Sequence, residues 1–348
     1  MAATRTAMVI GPAFHGYNRS IADALDRAEF AAKIVDSPLT SPRGLANRVR
    51  IDLAGKLGVT RYKTAWRADY NRRLVEAHRA LRPELVLVIR GSWVDAETLA
   101  AMGGSMRAVW FQDMVHRCDA PPGLMQAADK VFVFEGSDVR RTREEQGVES
   151  HFLPMGFDPK DYRPIPGVER DIDVSFVGMP YPERQVILDR LLADFPGRRF
   201  RFVGRYVRYR EPRTWLKYVE RKLDGPARRA YWNGEVTPAE VNRLYARSKV
   251  VLNIHHKQSR EGCNPRVFEI MGSGAFQLVD ANAYLREHFT GTLAMYEGYD
   301  QLRGLVAHYL ADPSAREAEA ARSQAAAAPH TFDRRVASLL ATCGLAGP

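Results

Sequence analysis

Apolar and polar positions alternate along the chain in blocks. Ala7-Met-Val-Ile10 is a short apolar run of the buried-strand kind, followed by the loop Gly11–Gly16 and a helical pattern over Ser20–Phe30. Leu85-Val-Leu-Val-Ile89, Ala108-Val-Trp-Phe111 and Val131-Phe-Val-Phe134 repeat the apolar run. Continuous apolar strands separated by helical stretches predict a parallel sheet covered on both faces. Ligands in that architecture sit beyond the carboxyl ends of strands. The informative loops are therefore Gly11–Gly16, Arg90–Trp93, Gln112–Arg117 and Glu135–Asp138.

Prolines and a glycine crowd Leu153–Pro159 and Tyr162–Pro166 with little periodicity, the composition of an interdomain linker. The alternation then restarts. Val174–Val177, Phe200–Val203, Lys249–Ile254 and Ala275–Val279 read as strands. Thr237-Pro-Ala-Glu240 is a capping box that starts a helix running to about Arg247. Asp300–Ala311 and Ala315–Ala328 are helical, Pro329–Phe332 breaks the pattern, and Asp333–Leu340 forms a last helix. The expectation is an α/β chain of two Rossmann-like, doubly wound parallel-sheet domains facing a central cleft. Residues 1–160 form the first domain and 161–328 the second, with 329–348 a C-terminal helix that packs back on the first.

Composition narrows the class. The chain has 348 residues, 45% hydrophobic and 26% charged, as expected of a globular protein. No apolar run approaches the roughly 20 residues of a membrane helix, and Met1–Ile10 lacks the pattern of a secretory signal. Cys118, Cys263 and Cys343 are scattered and fit neither metal spacing nor a disulfide framework, which favours a reducing cytoplasm. The net charge is +10. Residues 43–82 hold 11 Lys/Arg against 3 Asp/Glu, and residues 201–230 hold 10 against 3. Such blocks suit an anionic partner or a solvated basic surface. Tyr206–Arg229 interleaves aromatics with Arg and Lys, a composition for an anionic membrane surface or for a mobile flap over a ligand. No nucleic-acid-binding motif accompanies it.

The densest chemistry lies in Glu261-Gly-Cys-Asn-Pro-Arg-Val-Phe-Glu269. Two carboxylates bracket a glycine and an Asn264-Pro265 helix start, whose open backbone N–H groups could seat a phosphate. Asn264 is placed to cap that helix. Arg266 carries a positive charge at a helix start, where the dipole opposes it, so a bound anion is the expected reason for it.

Gly262-x-Asn264-x-Arg266-x-Phe268-Glu269, Gly274-Ala275 and Asp280 resemble the CgeB-like glycosyltransferases, of GT-B fold and related to retaining enzymes with an E-x7-E motif. Gly234-x-Val236, Leu244-Tyr245, Ser248-Lys249-Val250, Phe289, Gly291, Tyr309-Leu310-x-Asp312-Pro313 and His330-Thr331-Phe332 with Arg335 extend the likeness. It covers residues 170–340 well and the first half only in layout. The resemblance implies sugar transfer from a nucleotide-sugar donor held by the second domain. Glu261 would face the donor-sugar hydroxyls and Glu269 the ribose. Gly262, Cys263, Asn264 and Pro265 would line the donor. A phosphate-holding cation would follow Gly178, either Arg184 or Arg205, although the group's usual Arg-Lys pair is absent here. Lys257 is a further phosphate candidate. Trp232, Gly234 and Val236 would lie by the nucleobase, though Trp232 also reads as a core aromatic. Asp113 and His116 are candidate acceptor-side acid–base groups, and His15, Gly16, Arg90 and Trp93 candidate acceptor-side residues. His255 and His256 hint at metal but lack a third ligand. No cofactor or metal is expected, because cations and helix amides can take a metal's role.

The resemblance implies a retaining, metal-independent glycosyltransferase using a nucleotide sugar, with UDP the commonest base. The acceptor is unidentified, an anionic or lipid-linked glycan among the options, and peripheral contact with the inner membrane face is compatible. The alternatives are an epimerase or phosphorylase on the same scaffold, or a non-catalytic binder of anionic polymer.

Overall fold

The computed structural model describes residues 5–12, 16–37, 57–207, 212–257 and 259–347. The chain divides into two compact units. The first comprises Met1–Met155, Arg260–Gly262 and Phe332–Pro348, and the second Gly156–Ser259 and Cys263–Thr331.

The first unit holds β1 (Arg5–Pro12), β2 (Phe30–Ser37), β3 (Leu85–Ile89), β4 (Met106–Phe111), β5 (Lys130–Val133) and β6 (His151–Phe152). All pair in parallel in the order β2-β1-β3-β4-β5-β6. Successive residues of a strand point to opposite faces. Accordingly Leu85, Leu87, Ile89 and Trp110 enter one core, and Val86, Val88, Val109 and Phe111 the other. The helix Phe332–Thr342 covers the first face, where Phe332, Val336, Leu339 and Leu340 pack beside Trp110, Tyr17 and Ile21. Burying the Phe332 ring alone contributes about 2–3 kcal/mol.

The second unit holds β7 (Ile172–Val177), β8 (Phe200–Gly204), β9 (Tyr231–Asn233), β10 (Ser248–Asn253), β11 (Gln277–Asp280) and β12 (Ala294–Tyr296). This sheet is also parallel, in the order β12-β11-β10-β7-β8-β9. The order reverses between β7 and β10. That is the topological switch point, where the crevice of a doubly wound sheet opens beyond the strand ends. The capping box forms as expected: Thr237 Oγ1 accepts from Glu240 N while Glu240 Oε2 accepts from Thr237 N, and the helix runs Pro238–Arg247.

One expectation needs correction. The helix over Ser20–Phe30 is Tyr17–Arg27, and Phe30 opens β2. Glu29 makes the turn at φ 66° without a glycine, so no turn signal marks it. The basic stretch after residue 60 is the helix Arg61–Leu81, which buries only Tyr70, Asn71, Leu74 and His78. Most of its arginines are exposed, among them Arg72, which pairs with Asp69 and Glu76, while Arg67 is half-buried against Asp95.

Candidate functional site

In the second unit the chemistry gathers beyond the strand ends. Arg184 lies in the first turn of the helix Pro182–Asp194, after the turn that follows β7, and is only 9% exposed. Its guanidinium crosses the switch point: Nη1 donates to Met179 O after β7 (3.0 Å), and Nη2 to Ile254 O after β10 (2.6 Å). Nε is buried without a hydrogen-bond partner. Gly178 leaves room for this, because a Cβ there would lie 2.9 Å from the Phe176 ring and 3.5 Å from Arg184 Nη1. Burial, reinforced by the charge of Arg266, pushes the Arg184 pKa down to about 10. Asp280 acts in the opposite direction. A buried cation short of partners and near a second cation favours a bound anion.

Next to Ile254, His255 is clamped to Asp280 at the end of β11. Asp280 Oδ1 accepts from His255 N (2.8 Å) and pairs with Nδ1 (2.7 Å). Nε2 is buried without a partner, as are Asn264 Oδ1 and the Tyr296 hydroxyl. With Asp280 on Nδ1, the neutral ring presents Nε2 as an acceptor and the imidazolium presents it as a donor. The histidine was expected only as a metal hint. Its partnership with Asp280 spans 25 residues and is invisible to local spacing. Among the described residues no group of three His, Cys, Asp or Glu is arranged to hold a metal ion.

The helix after the glycine loop is short, Arg266–Gly272. Asn264 does not cap it, contrary to expectation. Pro265 occupies the cap position, and Asn264 Nδ2 instead donates to Asn253 Oδ1 (2.9 Å). The reason is a chain of amides: Asn253 Nδ2 reaches Gln277 Oε1, and Gln277 Nε2 donates to Val267 O. This polar thread ties the loop to β10 and β11. Glu269 is 3% exposed, on a helix whose Val267, Phe268, Ile270 and Met271 are core, so it is no solvent-facing carboxylate. The Tyr245 hydroxyl titrates well above its ordinary range, through burial and then the Glu269 charge. Cys263 is fully buried in the same core.

Other second-unit candidates take structural places. Trp232 and Val236 pack against the core, and a Cβ at Gly234 would lie 2.5 Å from the Trp232 ring. Arg205 is exposed and ion-paired with Glu235, and Lys257 is exposed 3.3 Å from Glu183.

The Glu261 segment belongs to the first unit. Glu135, 1% exposed after β5, holds it. Its Oε1 accepts from Arg260 N (3.0 Å) and Glu261 N (2.5 Å), while Gly136 N donates to Glu261 O (2.9 Å). Glycine is required on the other side, since a Cβ at Gly262 would lie 2.6 Å from Phe134 O. The Glu261 carboxylate itself pairs with Arg140 Nη2 at 2.9 Å. Neither Glu135 nor Arg140 was singled out from the sequence, although Glu135 opens one of the strand-end loops that pointed to ligands.

Elsewhere in this unit, Asp113 lies between Arg90 (3.6 Å) and Arg117 (3.3 Å), and His116 Nδ1 meets Arg141 Nη1 at 3.2 Å. Asp113 thus pairs with two guanidiniums. Arg90 sits at φ 68° after β3 and donates Nη2 to Arg117 O. Trp93 is 4% exposed and packs edge-on to Trp66, a core ring and not a surface one. Gly16 is left-handed at φ 78°, directly before the first helix. His15 lies outside the described residues.

Residues 184–341 match a family profile described as Glycosyl transferase-like. That match spans the second half of the chain, and the two parallel sheets have the GT-B fold. Sucrose-phosphate synthase from Thermosynechococcus elongatus superposes with TM-score 0.66 at 13% identity, covering 97% of this chain and 98% of that one. Anabaena HepE, solved with UDP and glucose, gives 0.66 at 14% identity over 97% and 100%. A UDP-forming trehalose-phosphate synthase from Burkholderia vietnamiensis gives 0.66 at 15% over 98% and 99%. At such identities the likeness establishes the fold of this chain. No curated protein sequence matches it. The profile begins at Arg184 and includes both carboxylates of the E-x7-E pattern.

Proposed function

We propose that this chain is a glycosyltransferase that moves a sugar from a UDP-sugar to a hydroxyl of an acceptor, with retention and without a metal. The observation that carries the reading is Arg184. It is a buried, incompletely partnered guanidinium across the β7–β10 switch point, with Arg266 close enough to depress its pKa. Diphosphate is the anion that suits two cations in a doubly wound sheet's ligand crevice. Structural relatives solved with UDP or UDP-glucose make uridine the base to test first.

In the proposed reaction the bond between the anomeric carbon and the β-phosphate oxygen breaks, and its electron pair leaves with the diphosphate. Arg184 and Arg266 stabilise that growing negative charge. The acceptor oxygen bonds to the same face of the anomeric carbon, and its proton passes to the departing phosphate oxygen. Glu269 is assigned to the ribose hydroxyls. Glu261, oriented by Glu135 and Arg140, is assigned to the hydroxyls of the transferred sugar and does not act as a nucleophile. The helix Arg266–Gly272 is too short for its dipole to be the main anion anchor, so the arginines carry that role.

The test is thermal melting against a panel of nucleotides and nucleotide sugars, followed by product analysis with donor alone and with donor plus acceptor. UDP-sugars should raise the melting temperature, since a ligand of the folded state stabilises it. Absence of any shift with every nucleotide would refute donor binding, and turnover of donor alone to an isomer would replace transfer by epimerisation.

A further inference from the structure

The helix Pro212–Leu223 is amphipathic, but it is turned the wrong way for a globular surface. Trp215, Leu216, Val219 and Leu223 are 54%, 66%, 52% and 83% exposed. At helical periodicity these positions share one arc of about 100°. The arc beside it is the one that packs. Arg221 pairs with Asp189 (2.7 Å), Lys222 Nζ donates to Tyr231 O (2.6 Å), and Tyr218 stacks on Tyr206. Ten large apolar side chains are exposed among the described residues, and four belong to this helix. Scattered exposed apolar groups need no explanation, whereas a contiguous stripe does.

We infer that this stripe is a docking face for an anionic lipid bilayer. Charge selects the occupant. Arg213 and Lys217 on this helix, and Arg228 and Arg229 on the next, Gly225–Ala230, are exposed. Glu220 and Asp224 are the only acids between residues 212 and 230, against six Arg and Lys. A second copy of this chain meeting on a two-fold axis would set this basic patch against itself. An anionic headgroup layer complements it, and the acyl boundary accepts Trp215, Leu216, Val219 and Leu223. A tryptophan beside basic residues also suits the interfacial zone. The inference does not depend on the identity of the donor.

The experiment is co-sedimentation of the full chain with vesicles of phosphatidylcholine mixed with phosphatidylglycerol, against phosphatidylcholine alone. Partitioning should occur on the mixed vesicles, and Trp215 emission should shift to the blue. The double change Leu216→Glu and Leu223→Glu should lower partitioning by about tenfold or more. Neutralising Arg213, Lys217, Arg228 and Arg229 to Gln should do the same while leaving the melting temperature unchanged, because all are exposed. In Trp215→Phe the spectral shift should vanish. Absence of partitioning by the wild-type chain overturns the inference, as does equal partitioning on neutral vesicles. A concentration-dependent dimer abolished by Leu216→Glu, without vesicle binding, assigns the face to a second copy and overturns it too.

Discussion

Replacing Arg184 by Met separates an anion anchor from a structural strut. Burial pushes its pKa well below the ordinary guanidinium value, to about 10, so burying the charge costs about 3 kcal/mol, at about 1.36 kcal/mol per unit. Above about 10 the unfolded chain holds the proton more firmly than the folded one. The penalty is therefore complete at neutral pH and is relieved only as pH rises through about 10. Two charge-assisted bonds, to Met179 O and Ile254 O, return about 1.5 kcal/mol each. In the empty protein the terms nearly cancel, and Arg184→Met should leave unfolding free energy within about 1–2 kcal/mol of wild type. In the UDP complex the guanidinium would face a diphosphate. Losing it should cost about 2–3 kcal/mol, raising the Kd about 30- to 150-fold. Denaturant unfolding of the empty protein and calorimetric titration with UDP measure the two quantities. A UDP Kd within about threefold of wild type, or an empty variant destabilised by more than about 3 kcal/mol, would refute the reasoning.

Further expectations follow from the same geometry. Glu269→Ala should weaken UDP-sugar binding by about tenfold or more, whereas Glu261→Gln should lower kcat with KM little changed; steady-state kinetics distinguish them. Glu135→Ala strands the Arg260 and Glu261 N–H groups and should cost about 2–4 kcal/mol in chemical unfolding, with Glu135→Gln recovering part of it through its carbonyl. Gly262→Ala forces a methyl against Phe134 O and should destabilise by about 2 kcal/mol, read as a lowered melting temperature. Transfer assayed in EDTA should proceed at the untreated rate, since cationic side chains are assigned the metal's task.

The strands at the centre of each sheet were legible because both faces are covered. Leu85–Ile89 and Val174–Val177 cannot be read otherwise than as buried. Edge strands were not. β2 mixes Ala, Lys and Ile in a way that suits a helix as well, β9 and β12 are three residues each, and the turn at Glu29 lacks a glycine. Thr237–Glu240 declared its helix because a capping box is local chemistry. The candidate site divided along the same line. The Glu261–Glu269 run, Arg184 after Gly178, and Arg266 were visible as residue types at telling spacings. What Arg184 does was not visible, because its two carbonyl partners lie 5 and 70 residues away. Likewise Glu135 lies 126 residues from the N–H it fixes, and Asp280 25 from the imidazole it orients. Local pattern determined which groups could meet an anion or a sugar. Only the parallel strand order decided which of them share one sheet's end, because a crossover brings distant segments together with no trace in nearby sequence.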